Sequence, residues 1–89
     1  MLKRWEELKP GMLVCPDEHL RRVWYKRNPS HGFLIWLDEV GESLVLNVHL
    51  LSYGSFRLQK IGIYLLDKQG IFYVETEDYK HFDWQEIDP

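Results

Sequence analysis

The clearest signal along the chain is an alternation. Leu44, Leu46, Val48 and Leu50 alternate with Val45, Asn47, His49 and Leu51, so one side of the segment is wholly apolar and the other mixed. Successive residues of a strand point to opposite faces, so this pattern predicts an extended strand. Phe56 and Leu58 alternate with Arg57 and Gln59, and Ile61, Ile63 and Leu65 carry the pattern on, with Gly62 read as a bulge or bend. Asp67-Lys68-Gln69-Gly70 predicts a tight hairpin, because glycine supplies the positive φ that closes such a loop. Phe72, Val74 and Thr76 then form the returning strand. Phe33-Leu34-Ile35-Trp36-Leu37 is apolar at every position, the mark of a central strand covered on both faces.

The N-terminal part is less regular. Trp5-Glu6-Glu7-Leu8 reads as one short helical turn, broken by Lys9-Pro10-Gly11 before a strand over Met12-Leu13-Val14-Cys15 that Pro16 ends. Asp17 to Arg27 has two readings. Asp17 caps a helix with Leu20, Val23 and Trp24 at helical spacing, or the second half is a strand, which Trp24 and Tyr25 beside Val23 favour. Residues 28–32, 39–42 and 52–55 are loops or turns. The polar tail from Glu77 keeps Tyr79, Phe82, Trp84 and Ile87, which are expected to lap back onto the barrel. Five or six short strands within one domain spanning residues 1–89 predict a mainly β fold, either a small barrel or a strongly curved antiparallel sheet with a short N-terminal helical turn.

Composition supports a dense core, with 45% hydrophobic residues and four Trp, five Tyr and four Phe in 89 residues. Net charge is −3, which argues against a non-specific nucleic-acid binder, but the charge is uneven. Residues 1–30 carry +3, residues 31–60 carry −1 and residues 61–89 carry −5. Cys15 is the sole cysteine, and neither a secretory leader nor an apolar run long enough to span a bilayer is present, so a cytoplasmic location without membrane attachment is expected.

Leu8-Lys9-Pro10-Gly11-Met12-Leu13-Val14 resembles the entry into the first strand of SH3-like small barrels. That resemblance implies a five-stranded barrel with a long loop over residues 16–31, and a binding role toward proteins, peptides or nucleic acids. The aromatic and acidic loop pattern of proline-peptide-binding SH3 domains is missing, so that activity is not carried over.

Two stretches carry candidate binding chemistry. Arg21-Arg22-Val23-Trp24-Tyr25-Lys26-Arg27 interleaves cations with rings, which suits phosphate contact with base stacking, a protein surface, or a solvated strand whose stems cover the core. The acidic tail, Glu75-Thr76-Glu77-Asp78 followed by Asp83, Glu86 and Asp88, is interleaved with Tyr79, Phe82 and Trp84, the make-up of an interface or of a lid on a small core. The expected partner-binding residues are therefore Arg21, Arg22, Trp24, Tyr25, Lys26, Arg27, Tyr79, Phe82 and Trp84. His19, His31, His49 and His81 lack metal-ligand spacing, and Cys15 lacks the surroundings of an activated nucleophile. No phosphate-binding glycine loop, nucleophile elbow or metalloprotease motif occurs, so no enzyme, metal or cofactor is expected. The expectation is a non-catalytic protein-binding module, an inhibitor or adaptor of a larger protein such as phages and mobile elements encode. A nucleic-acid-binding barrel using residues 21–27 is the alternative, and a homodimer is compatible with either.

Overall fold

Eight strands form one antiparallel sheet in the computed structural model, which describes residues 1–18, 20, 24–27, 33–36, 40–53 and 58–87, with 24–27, 33–36, 53 and 58 described through their backbone. The strands are β1 (Leu2–Arg4), β2 (Leu13–Pro16), β3 (Trp24–Arg27), β4 (Phe33–Trp36), β5 (Ser43–Tyr53), β6 (Leu58–Asp67), β7 (Gly70–Thr76) and β8 (Phe82–Glu86). Their order across the sheet is β1-β8-β2-β5-β6-β7-β3-β4. A single turn of 3-10 helix at Trp5–Glu7 leads from β1 toward β2.

The protein is thus mainly β, with the short N-terminal helical turn expected. The sheet does not close into a barrel: β1 and β4 lie at opposite ends of the strand order and do not pair with each other. The antiparallel-sheet alternative is the one adopted, with more strands than five or six. Two further expectations change. Residues 16–31 are not one long loop, since β3 lies within them and resolves the ambiguous stretch as strand for Trp24–Arg27. Phe33–Trp36 is not central either: among the described residues β4 pairs with β3 alone, because β3 lies between β7 and β4.

The long hairpins β5–β6–β7 build the centre. Asp67 pairs with Gly70 across Lys68 and Gln69, and Gly70 has φ of 117°, a region open to glycine but strained for other residues. The Asp67 carboxylate accepts the Gln69 N–H at 2.9 Å, which fixes the turn. On the inner face, Val45, Leu65 and Phe72 form one row across the three strands, and Val48, Ile63 and Val74 form the next. All but Val48 are buried, and Val48 packs against the same core.

The Leu44–Leu51 alternation is interrupted. Val45 pairs with Leu65 and Asn47 with Tyr64, leaving Leu46 as an extra residue in a β-bulge. A one-residue insertion exchanges the faces of everything beyond it. Ser43 and Val45 therefore face the core before the bulge, and Val48 faces it after. No bulge falls at Gly62, which stays in register between His49 and Glu75.

The C-terminal tail does return, as a strand. β8 inserts between β1 and β2, pairing Trp84 with Lys3 on one side and with Pro16 on the other. Its Trp84 is buried and meets the buried Trp5 edge to face, with centroids 5.3 Å apart and planes at 83°. Trp5 Nε1–H donates to the buried Asp83 carboxylate at 2.6 Å, which pins the helical turn onto β8.

The start of that turn is held by Glu7, whose Oε2 accepts the Arg4 backbone N–H at 2.8 Å. This bond, aided by the Arg4 guanidinium and opposed by desolvation, keeps the Glu7 carboxyl below its usual value. A depressed folded value means the contribution to stability is complete above the unfolded pKa and is lost as pH falls through the folded one. Glu7→Gln is therefore expected to destabilise at neutral pH, with a gap to wild type that narrows on acidification. Urea midpoints measured across the acid range check this, and a gap independent of pH would contradict it.

Candidate functional site: the outer face of β5–β6–β7

Residues opposite one another in an antiparallel ladder share a face, so the register defines the outer surface of the central hairpins. Its rows are Leu44, Leu66 and Ile71, then Asn47, Tyr64 and Tyr73, then His49, Gly62 and Glu75. This face is not simply polar. Ile71 is 50% exposed and Leu66 39% exposed. Leu44 and Leu66 also line an open cleft at this end of the hairpins, together with Leu13, Glu42, Asp67 and Lys68.

Three rings follow. Tyr64 and Tyr73 lie 4.8 Å apart at 45°, and His49 meets Tyr64 edge to face at 6.0 Å. Gly62 makes the arrangement available. A Cβ at that position would stand 2.8 Å from Tyr73 Cζ and 2.9 Å from Cε2, so only a residue without a side chain lets the Tyr73 ring lie diagonally across the strand. Tyr73 O–H then donates to Glu75 Oε2 at 2.7 Å. Lys60 stands between Glu75 and Glu77, at 3.6 and 3.7 Å, and closes the polar end of the face. Half-exposed ion pairs of this kind contribute little to stability. Their effect here is to hold the rings beside a defined charged rim.

Of the residues singled out from the sequence, Lys26 shares this face through its register with Tyr73, while the described residues of the tail fall elsewhere. Arg21 and Arg22 lie outside the described residues. Trp24, Tyr25, Lys26 and Arg27 form β3, with Lys26 in register with Tyr73 and Arg27 with Phe72. Tyr79 packs against the core and donates its O–H to Gln59 Oε1 at 3.1 Å. Phe82 is 53% exposed, with the Arg4 guanidinium 5.5 Å above its ring. Trp84 is 0% exposed, so it serves the core and offers no ring to a partner in this fold. The two stretches are not brought together: β3 and β8 are separated in the sheet by β2, β5, β6 and β7.

What sequence reasoning passed over is the complement of the core pattern. Once Ile63 and Leu65, and Phe72 and Val74, are assigned inward, Tyr64 and Tyr73 must face out. Gly62 two residues before Tyr64 marks where a neighbouring ring can settle.

Cys15 is half-buried in β2 opposite Gln85, and among the described residues no three His, Cys, Asp or Glu side chains gather as a metal-binding set. No described helix is long and apolar enough to cross a membrane. No protein-family model, curated protein or solved structure matches the chain.

Proposed function

We propose that this protein is a non-catalytic binding module, an adaptor or inhibitor that docks on a larger protein through the outer face of β5–β6–β7. The observation that supports this reading is the row of rings, His49, Tyr64 and Tyr73, on the face opposite the core, continued by exposed Leu66 and Ile71. Aromatic anchors inside a polar rim are the usual centre of a protein interface, and Tyr is among the residues enriched there. Apolar and aromatic side chains gathered together on the face turned away from the core, and rimmed by charge, are the kind of patch that marks an interaction site.

A truncation series tests it. Tyr64→Ala is expected to weaken partner binding about 30-fold, corresponding to the ~2 kcal/mol typical of an interface hot spot. It should cost little in folding, because the ring lies off the core. The measurement is capture from lysate by wild type and by Tyr64→Ala side by side, with urea midpoints as the folding control. A protein captured in stoichiometric amount by wild type and lost from the folded variant supports the reading. A partner retained equally by both would overturn it.

One observation favours a second reading. β3 runs beside β7, and Lys26 pairs in register with Tyr73, so the basic strand adjoins the ring cluster in the sheet. Rings flanked by cations are how sheet surfaces hold single-stranded nucleic acid. This reading requires affinity for a labelled oligonucleotide that falls steeply with salt and drops in a Lys26→Ala, Arg27→Ala variant. Capture that survives nuclease and high salt would discard it.

A further inference from the structure

We propose, resting on the reading of the outer face as an interface, that its partner lays a basic amphipathic helix across the strands. The helix sits on a row of aliphatic side chains that reaches beyond β5–β6–β7 to β2 and Ile87. The register sets the row. Leu13 stands opposite Leu44, Leu44 opposite Leu66, and Leu66 opposite Ile71, so the four share one face of β2, β5, β6 and β7. Ile87 adds a fifth position, since its N–H donates to the Leu13 carbonyl at 2.8 Å, in step with the pairing of Glu86 with Val14. Leu66 and Ile71 are exposed, and Leu13, Leu44 and Ile87 are half-buried. Leu13, Leu44 and Leu66 line the open cleft, which makes its floor aliphatic. The next row on the same face, Asn47, Tyr64 and Tyr73, walls the other side.

Spacing, backbone and charge together select a helix. Neighbouring strands lie about 4.8 Å apart, so the row offers one aliphatic group at about that interval over roughly 19 Å. A helix presents apolar side chains once per turn of about 5.4 Å, and about 13 residues cover that length. An extended chain repeats its same-face side chains at about 6.8 Å and falls out of step.

The backbone under the row is already paired: the Leu13 carbonyl accepts from Ile87 and the Met12 carbonyl from Val45. An extended segment laid there would set its own N–H and C=O groups against aliphatic side chains without partners, whereas a helix pairs its own. Glu42, Asp67 and Lys68 rim the cleft, with carboxylates in excess. The flank of the helix that meets the hairpin end therefore carries lysine or arginine.

The test titrates the intact, isotope-labelled protein with a synthetic peptide of about 14 residues and follows amide shifts. Its leucines fall once per turn and its lysines along one flank. Two control peptides keep the leucines: one replaces the lysines by glutamates, the other carries a central proline, which breaks a helix. The basic peptide is expected to bind saturably, with the largest shifts at Leu13, Leu44, Leu66, Ile71 and Ile87. Each control should bind at least about tenfold more weakly, and Leu66→Lys should weaken the basic peptide by a similar factor. Ile71→Lys, at an exposed position, takes its place if Leu66→Lys does not fold. Absence of binding, equal binding of either control, or shifts centred elsewhere overturns the proposal. Partner capture that depends on Tyr64, alongside a peptide that does not bind, would discard the helix and leave the interface standing.

Discussion

Trp5→Ala is expected to remove most of the stability of this domain. The indole is wholly buried, so its removal leaves a cavity, and large-to-small changes of this kind cost roughly 3–5 kcal/mol. The substitution also takes the Nε1–H donor from the buried Asp83 carboxylate, for which a further ~1–3 kcal/mol is reasonable. A domain has only about 5–15 kcal/mol in total, so the two losses together bring the chain near its unfolding threshold. Two milder variants separate the causes. Trp5→Phe keeps a ring but removes the donor, while Trp84→Phe removes an N–H that has no partner among the described residues. Trp5→Phe should therefore cost clearly more than Trp84→Phe, although the change in volume is the same. Urea unfolding followed by far-ultraviolet circular dichroism measures all three. Equal costs for the two Phe variants would show that the Asp83 bond adds nothing.

Gly62→Val is expected to act on stability and on binding together. Glycine is a poor strand residue, and replacing it inside a ladder would ordinarily gain roughly 0.5–1 kcal/mol. Here the new side chain occupies the space of the Tyr73 ring, whose Cζ and Cε2 lie 2.8 and 2.9 Å from even the first added carbon. The ring must leave. With it go its contact with Tyr64 and its bond to Glu75, worth about 0.5–1.5 and 1.5–3 kcal/mol respectively in favourable settings, less where solvent reaches them. Discounted for solvent, these losses still exceed the gain, and a net destabilisation of up to about 1 kcal/mol follows, because the Tyr73 ring is the far end of a side chain that can swing away. Gly62→Val should also weaken partner capture as severely as Tyr64→Ala. A variant more stable than wild type would mean that Tyr73 yields without cost and that the ring cluster is not a fixed surface.

How far the sequence discloses these features depends on how local each one is. The Asp67–Gly70 hairpin was legible because its signal lies within four residues, and so was the turn at Trp5 before Lys9-Pro10-Gly11. The strands β5 to β7 were legible because alternation survives any neighbour. The bulge at Leu46 was not, since Leu46 is as apolar as the residues around it and only the partner strand shows that it is the extra one. The place of β4 was misjudged for a related reason. An all-apolar run signals that both faces are covered, without saying by what, and it does not fix the place of the strand in the order of the sheet. Trp84 and Phe82 looked alike in a charged tail, two residues apart where unbroken alternation would give them one face; the irregularity opposite Lys3 and Arg4 separates them, leaving Phe82 exposed and Trp84 buried. The ring cluster depends on Tyr64, Tyr73 and Gly62 meeting across two strands, a relation that needs the register.

The insertion of β8 between β1 and β2 bears on how the protein is made. Synthesis runs from the N-terminus, so β1 and β2 leave the ribosome while the strand that belongs between them is still untranslated. Trp5 meanwhile lacks both Trp84 and Asp83. The β5–β6–β7 meander, joined by neighbouring segments, can form during translation, whereas this end of the sheet must wait for residues 82–86 to emerge. A nascent chain interrupted just before β8 would therefore expose a bare indole and two orphaned strands, a strong mark for quality-control proteases.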